Sequence, residues 1–144
     1  MAPTCADGEF HLIKPDYSER SLLKALRNSV ITEDDYYLIK EHVADARVTN
    51  DISVGRVNKI TYHLTGWGQF LRSFRDRTIR QIKRAISDIK DARFNGHPYK
   101  QNTLRDFISI LKKFYVWLVE NGYSTCTLEQ IQKIKVPKDR WIVH

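Results

Sequence analysis

Residues 107–124 read FISILKKFYVWLVENGYS, and the fold class turns on how they are read. Phe107, Leu111, Phe114 and Leu118 recur at steps of four, three and four, the period of one helix face. Asn121-Gly122 follows as a stop compatible with the left-handed conformation that ends many helices. Ile110 and Trp117 widen the apolar stripe, so this helix is apolar around much of its circumference, as the central element of a bundle should be. The rest of its surface is oddly basic. Arg105, Ser109, Lys112 and Lys113 stand there, opposed only by Asp106 before Glu120.

Outward from this helix the same period repeats. Upstream, Asn95-Gly96-His97-Pro98 is a turn signal. Before it, Thr78 and Gln81 form a T-x-x-Q capping box ahead of Ile79, Ile82, Ile86 and Ile89. From an N-cap at Ser53, Val57, Ile60, Leu64, Trp67, Leu71 and Phe74 predict one long amphipathic helix. Gly66 and Gly68 flank Trp67 and cost helix propensity, which suits close approach of a neighbouring backbone or ligand. Thr32, followed by Glu33, Asp34 and Asp35, starts a helix whose buried stripe is Tyr36, Ile39, Val43 and Ala46. Asp16 and Glu19 resemble a capping pair before Leu22, Leu23 and Leu26, predicting a helix near 16–28. Downstream, Thr127 and Gln130 open a short helix through Ile131 and Ile134, which Pro137 ends. Residues 1–15 read as a loose lead-in. No stretch alternates at period two for long enough to be a strand, so the predicted fold is all-α.

Composition limits the function. The 144 residues fit one domain with an appendage, and no apolar run is long enough to span a membrane. The N-terminus lacks a basic start and an apolar core, so it does not read as a secretion signal. Cys5 and Cys126 are isolated thiols, suggesting a reduced, cytoplasmic protein. Residues 1–50 carry six Lys/Arg against nine Asp/Glu, whereas 51–144 carry eighteen against eight. That asymmetry predicts a polyanionic partner for the second part only. Enzymatic motifs are absent, no histidine has metal-ligand spacing, and neither cofactor nor metal is expected. His42 reads as a satisfied structural imidazole. Trp67, Phe70, Phe107, Phe114, Tyr115 and Trp117 read mainly as core.

Basic and polar residues at helical spacing carry the functional reading. Arg56, Lys59 and His63 share a strip beside one buried face. Arg105, Ser109 and Lys112 share another, with Asn102 and Lys113 nearby. Long cations reach phosphates, and short polar side chains bond phosphates or base edges. Arg80, Lys83 and Arg84, with Arg75 and Arg77 just before them, add cations at a helix start, where the dipole disfavours them.

In order and spacing, residues 53–138 resemble the N-terminal core-binding domain of tyrosine recombinases, the phage-integrase family, with its archaeal members nearest in the Ser…Arg…Lys spacing. SVGRVNKITYHLTGWGQFL resembles the family's first helix. TIRQI is similar to its T-x-x-D-I helix, with Gln81 in place of the acid. Thr103, Phe107, Leu111, Lys112, Phe114, Trp117, Leu118 and Gly122 follow its third element, although Tyr99 stands near the usual Ser. Ile131 to Lys138 resembles the exit towards a catalytic domain. The resemblance implies a SAM-like bundle of four helices in two crossed hairpins, preceded here by one or two extra helices. It implies a core-binding domain at 51–136 and a basic linker at 137–144, while the acidic extension at 1–50 departs from the family pattern and reads as helical, for packing or protomer contacts. It implies double-stranded DNA as partner, contacted by Arg56, Lys59, His63, Lys100, Asn102, Thr103, Arg105, Ser109 and Lys112. The family's catalytic Arg, His-x-x-Arg and Tyr belong to another domain, and nothing in 1–144 matches them. The expectation is a domain that binds without cutting, with that catalytic domain and other protomers as further partners. Two rival readings remain: a standalone helical DNA-binding regulator, and a protein–protein adaptor with a basic face.

Overall fold

Side-chain caps set the starts of four helices. The computed structural model describes residues 17–138 and contains α1 (Tyr17–Arg27), α2 (Glu33–Thr49), α3 (Val54–Trp67), α4 (Ile79–Asp91), α5 (Gln101–Glu120) and α6 (Leu128–Gln132). Thr32, Thr78 and Thr127 each close a reciprocal capping box with the residue three positions on, and Ser53 accepts from the Arg56 amide. Each box satisfies two amides that a helix start leaves orphaned. Asp16, Cys5, the lead-in at 1–15 and the tail at 139–144 lie outside the described residues.

Chain reversals follow the turn residues. At the end of α5, Gly122 takes φ +77°, and the amides of Gly122 and Tyr123 donate to Val119 and Leu118 carbonyls at 3.1 and 2.8 Å. That is a Schellman stop. Ser29 closes α1 in the same way at φ +59°, with Val30 donating to Ala25 O at 2.9 Å. Asn95 and Gly96, both at positive φ, turn a two-residue antiparallel ladder, β1 (Arg93–Phe94) with β2 (His97–Pro98). Apart from that ladder the described residues are helical or irregular, and the fold is all-α.

One expected helix is shorter than its pattern. Val57 to Phe74 keep helical spacing, yet α3 stops at Trp67. A Cβ on Gly68 would lie 2.6 Å from Val30 O and 2.8 Å from Ile31 Cγ2, so the glycine lets the turn between α1 and α2 pack against this corner. Beyond it, Leu71 and Phe74 are still buried, carried inward by a turn that prolongs the spacing without the helix.

A single hydrophobic cluster draws on α1 through α6. Trp67, Phe107, Phe114 and Tyr115 are buried within it, whereas Phe70 and Trp117 are half-buried at its edge. Two buried polar donors lock α5 to the loop after α3 and to α3 itself: Tyr115 OH donates to Phe74 O at 2.9 Å, and Trp67 Nε1 to Phe107 O at 2.8 Å. The N-terminal helices are tied in by a carboxylate. Asp35, with no exposed surface, accepts from the amides of Thr32 (3.1 Å), Ser73 (2.9 Å) and Phe74 (2.8 Å). Beside it, Arg75 makes a two-pronged contact with Asp34, at 3.0 and 2.7 Å. Glu19 of α1 meets Tyr36 OH and, at 3.2 Å, Lys40 Nζ of α2.

Candidate nucleic-acid interface

Helices α3 and α5 pack against each other, with Phe107 at the contact. Arg56, early in α3, lines a groove with Ser109 and Lys112, and Lys59 one turn later meets Asp106 at 3.2 Å. At the far end of α3, Gly66 and Trp67 reach Phe107. The pairing brings most of the basic and polar residues of the two strips to one side of the bundle, in differing states.

Arg56 and Ser109 are half-exposed, and neither side chain has a hydrogen-bond or ion-pair partner among the described residues. Lys100 is exposed at the N-cap position of α5, where its side chain makes no cap bond. Asn102 and Thr103 are half-buried in the first turn of α5, with Asn102 Oδ1 buried and unpartnered. Lys59 and Arg105 both hold Asp106, each at 3.2 Å, so this triad presents one net positive charge rather than two. Arg105 Nε is buried without an acceptor, an unmet donor in a charged group that sits beside Asn102.

Two residues depart from the expected strips. His63 is only 6% exposed, its ring edge-on to Phe107 at 4.5 Å, with Nδ1 donating to Lys59 O at 2.8 Å. Burial lowers its pKa below the ordinary histidine value despite that bond, so it is neutral at neutral pH and packs α3 onto α5. It is a core histidine rather than part of a solvated basic strip. Spacing could not reveal this, because a position at the edge of an apolar stripe turns inward wherever a large neighbour such as Phe107 covers it. Lys112 is half-buried, and its ammonium donates to Gln132 O at 3.2 Å and Ile134 O at 2.8 Å. It fastens the end of α6 along α5, a long-range task with no local sequence signal. Farther on, Gln101 Nε2 meets Lys138 O at 3.4 Å, so residues 132–138 run back along α5, and Lys133, Lys135 and Lys138 are exposed there.

The groove between α2, α3 and α5 encloses about 930 Å³. Its floor includes Ile52, Ile60, Ile110 and Val116, while Arg56, Lys112 and Lys113 stand on its rim. At the other end Asp45 accepts from Trp117 Nε1 at 3.0 Å. His42 lies there between Phe114 and Trp117, with ring centroids 5.1 and 5.2 Å away. Burial pulls its pKa down to about 4, the Asp45 carboxylate resisting only in part. Its Nδ1 is buried without a partner, so it is a packed imidazole but not a satisfied one.

Cations flanking α4 divide in the same manner. Arg75 is spent on Asp34, with Tyr123 beneath it at 4.9 Å, and Arg77 holds the carbonyls of Ser73 and Arg72. Arg80, Lys83 and Arg84 are exposed. Among the described residues no group of three His, Cys, Asp or Glu side chains could hold a metal ion. Cys126 is a buried thiol donating to Arg77 O at 3.4 Å. No described helix is long and apolar enough to cross a membrane. Compared with protein-family models, curated proteins and solved structures, the chain finds no match.

Proposed function

We propose that this chain binds double-stranded DNA through the side of the bundle formed by α3 and α5, as the N-terminal core-binding domain of a site-specific tyrosine recombinase. One observation carries the reading. Residues 17–138 hold twenty-two Lys/Arg, and among the described residues only Lys40, Lys59, Arg75 and Arg105 meet a carboxylate. Most of the basic charge is therefore not used to hold the fold and repels itself until a polyanion neutralises it. Arg56, Lys100, Lys113 and the net charge of the Lys59–Asp106–Arg105 triad would meet phosphates, with Lys112 close by. Asn102, Thr103 and Ser109 are the side chains suited to base edges. The order of α3 to α6 is compatible with a SAM-like pair of crossed hairpins. In this reading the chain grips DNA and leaves cutting to a catalytic domain.

A titration of random and candidate-site duplexes by fluorescence anisotropy, at low and moderate salt, tests it. Four or so neutralised phosphates give a log–log salt slope of about −4. Arg56→Gln should weaken binding to every sequence and reduce the steepness of that slope by about 1. Absence of binding at low salt refutes the proposal. The apolar floor of the groove favours one alternative, an adaptor for an acidic protein partner, and that same negative result would leave it in front.

A further inference from the structure

A second concentration of positive charge lies on and just before α4. Residues 70–99, around α4, carry eight Lys/Arg against three Asp/Glu. Arg75 and Arg77 are engaged in holding the loop before α4. Arg80, Lys83, Arg84 and Lys90 are exposed on α4, and none of them meets a carboxylate among the described residues.

Folding does not explain this placement. The core side of α4 is Ile82, Ala85 and Ile89, and its start is already satisfied by the Thr78–Gln81 box. Its first turn has no acidic residue, and the helix dipole disfavours Arg80 there. Arg80 and Arg84 stand four apart, one above the other, where like charges repel. Arg77, Arg80 and Arg84 also line a shallow cleft of about 300 Å³ with Phe70, Gln81 and Asp88. That cleft shares no residue with the groove between α2, α3 and α5.

We propose that the outer side of α4, through Arg80, Lys83, Arg84 and Lys90, is a second phosphate-binding surface that takes the sugar–phosphate backbone of DNA without reading its sequence. This rests on the DNA-binding reading above and adds a contact outside its interface. The chemistry selects the backbone. Guanidinium forks match phosphate oxygens two at a time. None of the exposed large apolar side chains of the described residues lies on α4, whereas a protein partner would need an apolar centre to bury. From Arg80 to Lys90 the helix rises about 15 Å. Over that length one strand of a duplex presents about four phosphates.

The test compares three proteins on a random and a candidate-site duplex over a salt series: the wild type, Arg56→Gln, and the combination of Arg80→Gln, Lys83→Gln and Arg84→Gln. The altered side chains are exposed, and melting temperature checks the fold. Should the triple variant melt lower, the pair Lys83→Gln and Lys90→Gln takes its place. The expected result is a salt slope less steep by about 2 to 3 for the triple variant, or by about 2 for the pair, with random and specific duplexes weakened alike. An unchanged slope and affinity, with Arg56→Gln still weakened, overturns the α4 surface and leaves the α3–α5 interface standing. Failure of the wild type to bind any duplex at low salt overturns both.

Discussion

His42 offers a quantitative check on the packing of the groove. Its imidazole is 9% exposed between Phe114 and Trp117, with Nδ1 unpartnered, and its folded pKa is about 4 against an ordinary 6.5. The unfolded chain therefore holds this proton more tightly than the folded one. The stabilisation is complete above pH 6.5 and is lost as pH falls from 6.5 towards 4. At about 1.36 kcal/mol per pKa unit, the full loss is about 3.4 kcal/mol, and about 2 kcal/mol is gone by pH 5. Urea unfolding of the wild type and of His42→Phe at pH 8, 6 and 5 isolates the effect. Phenylalanine keeps a ring against Phe114 and Trp117 and leaves no buried nitrogen unpaired. Carboxylates and His63, whose pKa is also lowered by burial, titrate in both proteins and cancel in the difference. The stability gap between wild type and variant should move by about 2 kcal/mol against the wild type between pH 8 and pH 5. Parallel pH profiles, with a constant gap, would refute the buried neutral imidazole.

Three further outcomes follow from the fold. Asp35→Asn loses the charge that receives three backbone amides and leaves at least one without an acceptor, costing about 2–4 kcal/mol in urea unfolding; a loss under about 1 kcal/mol would contradict the buried geometry. Gly68→Ala drives a methyl into Val30 O and should cost about 1–3 kcal/mol, read as a lower melting temperature; an unchanged melt would mean that the corner is looser than drawn. Lys112→Met keeps the aliphatic stem but releases the Gln132 and Ile134 carbonyls. Tryptic cleavage after Lys133 and Lys135 should then accelerate while the global melt barely moves, and equal cleavage rates would remove the fastening role.

Features written in neighbouring residues were legible in the sequence. The caps at Thr32, Ser53, Thr78 and Thr127 are three-residue chemistry, and the stop at Asn121-Gly122 needs only a residue tolerant of positive φ. The end of α3 was hidden because the turn after Trp67 brings Leu71 and Phe74 inward at helical spacing. Distance in sequence hid the rest. Asp35 reads as one more acid at a helix start, yet its oxygens serve amides 38 and 39 residues away. Lys112 reads as a surface cation, yet it holds carbonyls 20 and 22 residues on. Period separates inside from outside on an isolated helix; it does not say which exposed groups another segment of chain will claim.

The Asp35 contact also carries a statement about time. Helices nucleate from near neighbours in about a microsecond, whereas joining α2 to the loop at Ser73 and Phe74 requires closing a large stretch of chain first. The clasp should therefore form late, when α1 to α3 are already assembled, and once formed it opens only with them. The amides of Ser73 and Phe74 lie in an irregular loop, where hydrogen exchange is ordinarily fast. Held by a buried carboxylate, they should exchange on the timescale of the helical core, marking an irregular segment that unfolds only when everything else does.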